Sequence, residues 1–300
     1  MGSARNETVT GVGLALGGIF SVQIASAFAV PVFERIGPAA TAWLRLCWAA
    51  AIFVAIARPR LAKLPRRDLA SAAALGVVSA ANSMMFFEAI ARIPLATAVA
   101  IEFLGPLSVA VWRRTGPWGL AWPPLAFAGV LLVTQPWHGD VNVAGVLLSL
   151  GAGAGWGAYI VLTQRVGDRF HGLAGLAIAM PVAALVATPV GIAQAWGHLD
   201  GTTLLFCAGV ALIFPVASYT LELNALRKLD TATFGTLMSI EPAAALLVGA
   251  IGLHQIPDAG QMLGVLFVTV AAIGAARTGQ RETAAAPEST RSMNADVLPK

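Results

Sequence analysis

Glu102 and Glu241 contrast sharply with the apolar sequence around them. Glu102 lies in AVAIEFLGPL (residues 98–107) and Glu241 in SIEPA (239–243). Each is followed by a proline, Pro106 after Gly105 in the first case and Pro242 directly in the second. Arg45, in PAATAWLRLCWAAAIFVAIA, is a cation in similar surroundings. An ionisable side chain at the centre of a membrane helix costs about 2.5–3.5 kcal/mol. A proline in a helix leaves the carbonyl four residues earlier without its N–H. Freed backbone at membrane depth is tolerated only beside protein or a wet cavity. Charge and break together point to a polar site. Removal from water favours the neutral form of a carboxyl, so such a group can carry a proton or, when charged, hold an ammonium. A guanidinium can hold a carboxylate. The competing reading is structural: the carboxyls satisfy backbone freed at Gly105-Pro106 and Pro242, and Arg45 pairs with Glu102 or Glu241.

These residues need elements that cross a bilayer, and composition supplies them. The chain is 57% hydrophobic and 11% charged over 300 residues, with a mean hydropathy of +0.76. Soluble domains carry about 25% charged residues, so this chain cannot cover a globular surface and must have lipid as its solvent. A span needs about 20 apolar residues. Ten are expected, at 11–33, 38–57, 69–91, 95–112, 118–136, 143–163, 172–195, 202–223, 231–252 and 259–276. Residues 1–10 read as a cytoplasmic N-terminus and 277–300 as a disordered tail, too polar to bury a core. GLALGGIFSVQIASA has small residues in the pattern of a signal-peptide cleavage site, but its apolar run is long enough to span, so an uncleaved first helix is expected.

Lys and Arg placement orients the spans. With the N-terminus inside, sixteen of the nineteen Lys and Arg residues fall in inner segments, among them Arg60, Lys63, Arg113, Arg114 and Arg165. Arg35 and Arg92 fall outside and Arg45 within a span. Both termini are therefore expected to be cytoplasmic. Trp112, Trp118 and Trp122 near inner ends, and Trp43, Trp137 and Trp196 near outer ends, fit an aromatic belt.

A repeat relates the two carboxylates. EAIARIPLATAVAIEFLGP (88–106) aligns without gaps with NALRKLDTATFGTLMSIEP (224–242), placing Ala89 on Ala225, Ala96-Thr97 on Ala232-Thr233 and Pro106 on Pro242. The matched pieces lie five spans apart. Five is odd, so two such halves, 11–136 and 143–276, would have opposite orientation, the inverted arrangement whose binding site lies near the midplane. Glu102 aligns with Met238 and Glu241 with Gly105, one helical turn apart and on the same face of their helices.

Other polar or aromatic residues are candidates for the same site. Gln23 and Asn82 lie mid-span, where they either contact a ligand or hydrogen-bond between helices. Trp156 and Tyr159 share a helix face and, with Tyr219, either line a cavity or pack. Glu88 and Glu222 lie near span ends, within reach of an interface. Gly151, Gly153, Gly155 and Gly157, with Gly13 and Gly17, read as surfaces for close helix packing. Cys47 and Cys207 fall in apolar runs and read as small hydrophobes.

PLATAVAIEFLGPL, GAGAGWGAYIVLTQR and FGTLMSIEPA resemble the bacterial inner-membrane threonine/homoserine exporters, of the EamA-type branch of the drug/metabolite transporter superfamily. The resemblance runs over about residues 11–276. It implies an all-α integral membrane protein that exports small amino acids by alternating access between inverted halves. Binding candidates for substrate or proton are Glu102, Glu241, Arg45, Gln23, Asn82, Trp156, Tyr159 and Tyr219, with helix breaks at Gly105, Pro106 and Pro242. The alternative is export of lipophilic cations or other metabolites, since acidic groups beside aromatic rings hold cations.

Enzyme classes find little support. The seven aspartates lie in loops, at span edges or in the tail, and the four histidines at or outside span edges. No HExxH or G-x-S-x-G occurs, and the GxGxG of the sixth span lacks the strand and Gly-Lys-Ser/Thr of a phosphate loop. No cofactor, metal or nucleic acid is expected. A small-molecule substrate and the lipid bilayer are the expected partners, and a homodimer is compatible with the sequence.

Overall fold

A computed structural model describes residues 2–58, 65–112, 121–138, 141–167, 169–170, 173–229 and 231–278. Arg60, Lys63, Arg113, Arg114, Trp118 and the tail beyond residue 278 lie outside the described residues. Those described form helices and connecting turns, with no strand among them. The helices are α1 (Gly2–Ile36), α2 (Pro38–Ala57), α3 (Arg66–Ile90), α4 (Leu95–Glu102), α5 (Leu104–Trp112), α6 (Trp122–Thr134), α7 (Val143–Gly167), α8 (Ala174–Ala195), α9 (Gly201–Ala211), α10 (Ser218–Leu226), α11 (Thr231–Met238), α12 (Glu241–Gly252) and α13 (Ala259–Thr278). Among the described residues nine helical stretches are long and apolar enough to cross a membrane. α6, with 13 residues, rises only about 20 Å and falls short of a bilayer core of about 30 Å.

Three expected spans are interrupted. Pro106 withholds the N–H due to the Glu102 carbonyl, and the helix breaks at Phe103 between α4 and α5. Pro242 does the same to Met238, and a turn at Ser239-Ile240 separates α11 from α12. The two freed carbonyls, of Glu102 and Met238, occupy matched positions in the repeat. Glu102 therefore ends α4, whereas Glu241 begins α12. The third interruption, between α9 and α10, was not expected from the sequence, which reads as one span over 202–223. There Pro215 forces Phe214 out of helical geometry (φ −140°, ψ 124°), as the residue before a proline tends to be. α1 begins at Gly2 rather than at residue 11.

Short connections fix the helix ends. Gly37 adopts φ 84°, open to glycine at little strain, and Pro38 starts α2. Asp200 caps α9, accepting from the Thr203 N–H at 2.6 Å. Hydrogen bonding from Thr203 holds the Asp200 carboxyl below its ordinary range, so this cap persists until pH falls through that lowered value.

The bundle is knit by pairs of helices. α2 packs on α8, α3 on both α7 and α8, α6 on α13, α1 on α10 and α12, and α4 on α7 and α12. Glycines set the closest approaches. A Cβ at Gly105 would collide with the Gly153 carbonyl, and one at Gly153 would meet the Glu102 carbonyl, so α7 presses against the break between α4 and α5. Gly13, by contrast, faces open space, whereas Gly11, Gly17 and Gly18 of α1 meet α10 and its following turn, at Leu229, Leu221 and Glu222.

Candidate functional site

Where the interrupted helices meet α1, α2, α3, α7 and α8, they enclose a cavity of about 140 Å³, roughly tenfold the volume one water requires. All eight candidate binding residues line it: Gln23 from α1, Arg45 from α2, Asn82 from α3, Glu102 from α4, Trp156 and Tyr159 from α7, Tyr219 from α10 and Glu241 from α12. The helix-break residues Gly105, Pro106 and Pro242 stand behind the wall and shape it.

The charged groups are buried and kept apart. Arg45, Glu102 and Glu241 are 4%, 8% and 4% exposed. Among the described residues, ion pairs form at Glu88–Arg92 and Asp68–Arg169, so Arg45 pairs with neither Glu102 nor Glu241, contrary to the structural alternative. Its guanidinium lies between the rings of Phe87 and Phe214, 4.6 and 4.7 Å from their centroids, an arrangement favoured by the ring quadrupoles. Its Nη2 donates to Ser83 Oγ at 2.9 Å, and its Nε has no partner.

Glu102 is held differently. Asn82 Nδ2 donates to Glu102 Oε1 at 2.9 Å and to the Ala152 carbonyl at 2.8 Å. Glu102 sits at the carbonyl-rich end of α4, where a donor to its side chain is the natural complement. Glu241 Oε2 and Gln23 Oε1 are buried without a partner. Aromatic rings close another side: Tyr159 and Tyr219 stack with centroids 6.4 Å apart, Phe214 meets Tyr219 edge-on, and Phe103 meets Trp156 edge-on.

Glu88 and Glu222 are equivalent by position along their spans, and the structure separates them. Glu88 stands at the end of α3, bound to Arg92 and accepting from Gln194 Nε2, an anchor between α3 and α8. Glu222 lines the cavity, as do Ser26, Ser79 and Ser83. Sequence reading left Glu222 open between this site and the interface, and did not place Phe214 here. Pro215 was the available signal, though Pro31, Pro181 and Pro189 lie inside continuous helices.

Similarity to known proteins agrees with this architecture. The profile of the EamA-like transporter family matches residues 143–277. Over 265 residues the chain is 34% identical to the threonine/homoserine exporter RhtA of Salmonella typhimurium, covering 87% of this chain and 90% of that protein. The chain belongs to the EamA-like transporter family. The RhtA of Escherichia coli is likewise 34% identical over 266 residues, covering 88% of this chain and 90% of that protein. The uncharacterized transporter YwfM of Bacillus subtilis is 28% identical over 227 residues, 70% of this chain and 75% of that protein. A protein of known crystal structure, 17% identical, matches 88% of this chain and 96% of its own with a TM-score of 0.61, a likeness of fold. As an EamA-like protein the chain is a multi-pass transporter of the inner membrane and not an enzyme.

Proposed function

We propose that this EamA-like transporter exports small amino acids of the threonine/homoserine kind by alternating access between two inverted halves, 11–136 and 143–276. The observation that carries the substrate class is the cavity's charge pattern. One unpaired guanidinium shares a cavity with carboxyls it does not touch, which is the complement of a zwitterion. The relatives named as threonine/homoserine exporters support the same class. A small cavity with one cation speaks against phosphate esters, which recruit several.

Inverted halves are supported by how the helices pair. Under the repeat, α1 to α3 correspond to α7, α8 and α9–α10. The packing of α3 on α7 then has its counterpart in α1 on α10, while α2 on α8 and α6 on α13 pair elements with their own equivalents, and α4 on α12 brings the two broken spans together. Transport is proton-coupled in this reading. Glu102 or Glu241 takes a proton from outside and releases it inside, one of them also holds the substrate ammonium, and Arg45 holds its carboxylate. A second reading, export of lipophilic cations, draws on the run of Phe214, Tyr219 and Tyr159 beside the carboxyls.

The test is exchange of labelled threonine across liposomes containing the purified protein, with and without an imposed pH gradient. Exchange competed by homoserine and driven uphill by the gradient is expected. No exchange from a folded preparation overturns the amino-acid reading and favours cations. Glu102→Gln keeps an oxygen to accept from Asn82 and removes only the titratable group. It is expected to flatten the pH dependence, and normal pH dependence in this variant removes Glu102 from the proton role.

A further inference from the structure

We propose that Glu222 is a further binding residue of the cavity, forming with Glu241 and Gln23 the end that receives the ammonium group of a zwitterionic ligand. The inference rests on the amino-acid reading above and divides the cavity into two ends.

Glu222 projects from α10 toward α1, at a position where α1 has no side chain. A Cβ at Gly18 would come within 3.0 Å of Glu222 Cγ and 3.5 Å of Oε1. The glycine thus leaves the room in which this carboxylate lies against α1 and reaches the cavity wall. Glu241, from α12, lines the same cavity as Glu222 and Glu102. No ion pair engages Glu222 or Glu241 among the described residues. Gln23, 1% exposed, adds its unpartnered Oε1 from α1, and Glu241 its unpartnered Oε2.

Three acceptors from three helices fit one chemical group. A primary ammonium carries three N–H donors and a positive charge. Between Glu222 and Glu241 it would satisfy buried oxygens that otherwise lack donors and offset the repulsion of two carboxylates in a medium of low dielectric. The opposite end is set by Arg45. Stacking between Phe87 and Phe214 and the bond to Ser83 fix the guanidinium plane and leave the Nε edge for a carboxylate, the two-pronged contact that arginine favours. Glu102, engaged by Asn82, is then a positioning and titrating group and does not touch the ligand. The rival role for Glu222 is to reach from the end of its span to the membrane surface, with no preference for a ligand.

The test compares three probes on the full chain: threonine, threoninol (the ammonium without the carboxylate) and 3-hydroxybutyrate (the carboxylate without the ammonium). Apparent affinities come from the ligand-dependent rise in unfolding midpoint of purified protein and from competition against threonine exchange in liposomes. Glu222→Gln is expected to weaken threonine and threoninol about tenfold or more, the loss of a charged hydrogen bond, and to leave 3-hydroxybutyrate unchanged. Glu222→Asp should restore part of the loss. Gly18→Ala, which displaces Glu222 and keeps its charge, should weaken threoninol alone of the two half-ligands. Unchanged threoninol affinity in Glu222→Gln, or an equal loss for all three probes, overturns the proposal and leaves the amino-acid reading standing. If the wild-type protein does not exchange threonine but binds threoninol through Glu222, the amino-acid reading falls and the ammonium site stands. Binding of none of the probes by the wild type overturns both.

Discussion

Asn82 ties three helices together through one amide group. Its Nδ2 bridges Glu102 on α4 and the Ala152 carbonyl on α7 from its own place on α3. Leaving the buried Glu102 oxygen without its donor costs about 1–3 kcal/mol. Asn82→Ala is therefore expected to lower the thermal-unfolding midpoint of the purified protein, on the order of 1–3 kcal/mol of stability, in addition to any effect on transport. An unchanged midpoint would mean that water replaces the amide and that the cavity is wetter than its walls suggest. Arg45 illustrates the other way to keep a buried charge. It has no acidic partner and lies between two aromatic rings with a serine on its edge, so the cation is oriented without being neutralised. Both residues line the cavity, Arg45 with its Nε unpartnered and Glu102 with Oε1 accepting from Asn82.

Breaks in the helices, more than the helices themselves, build the cavity, and they differ in how legible they were. Pro106 and Pro242 announce theirs through the repeat, and in both cases the helix ends at the residue four before the proline, whose carbonyl the missing N–H leaves free. Pro215 was equally visible. The span around it reads as continuous because prolines are common in membrane helices and are often absorbed by a kink. The extended Phe214 turns the chain at this point, and with it the facing of everything downstream. That is why Glu222, placed near a span end by counting, lies on the cavity instead. Depth can be counted along a sequence, but azimuth around a broken helix cannot. Glycine contacts were misread for a related reason: spacing marks a small-residue face and does not say what meets it, so Gly13 looks like Gly153 until the neighbours are known. The difference is measurable. Gly105→Ala and Gly153→Ala put a methyl into backbone at the contact of α4 and α5 with α7, and overpacking of this kind costs about 1–3 kcal/mol or more. Both are expected to reduce the yield and unfolding midpoint of the protein, while Gly13→Ala, facing open space, leaves them unchanged. Equal tolerance at all three sites would mean that α7 does not bear on the break.

Apolar packing differs between the two ends of the molecule: a large cluster, with a smaller one beside it at Val32, Ile36 and Leu44, occupies one end, and the other is divided. One buried cluster joins α1, α2, α3, α4, α7, α9 and α12, including Phe86, Phe87, Ile90, Leu95 and Val99, with Phe33 and Leu253 against it. At the opposite end the clusters are separate: Leu75, Val166 and Ile178 bind α3, α7 and α8, whereas Ala15, Ala225 and Leu229 join α1 to α10 and the turn after it. An alternating-access carrier needs such an asymmetry in any one state, because the cavity must be sealed from one compartment by packed side chains while the other end can part. Which compartment is sealed follows from orientation. If the N-terminus is inside, as the Lys and Arg bias leads one to expect, the larger cluster would face outward and the divided end the cytoplasm. Orientation is open to a direct measurement. Replace Cys47 and Cys207 by alanine, then introduce His198→Cys in the exposed turn between α8 and α9 or Ser289→Cys near the C-terminus. In intact cells a membrane-impermeant thiol reagent is expected to label position 198 and to reach position 289 only after the membrane is opened. The reverse pattern would invert the whole bundle and place the larger cluster on the cytoplasmic side. Proton and substrate would then reach the cavity from the sides opposite to those proposed, and labelling at both positions in intact cells would mean an even number of crossings between them, contrary to the three spans, α9–α10, α11–α12 and α13, found there.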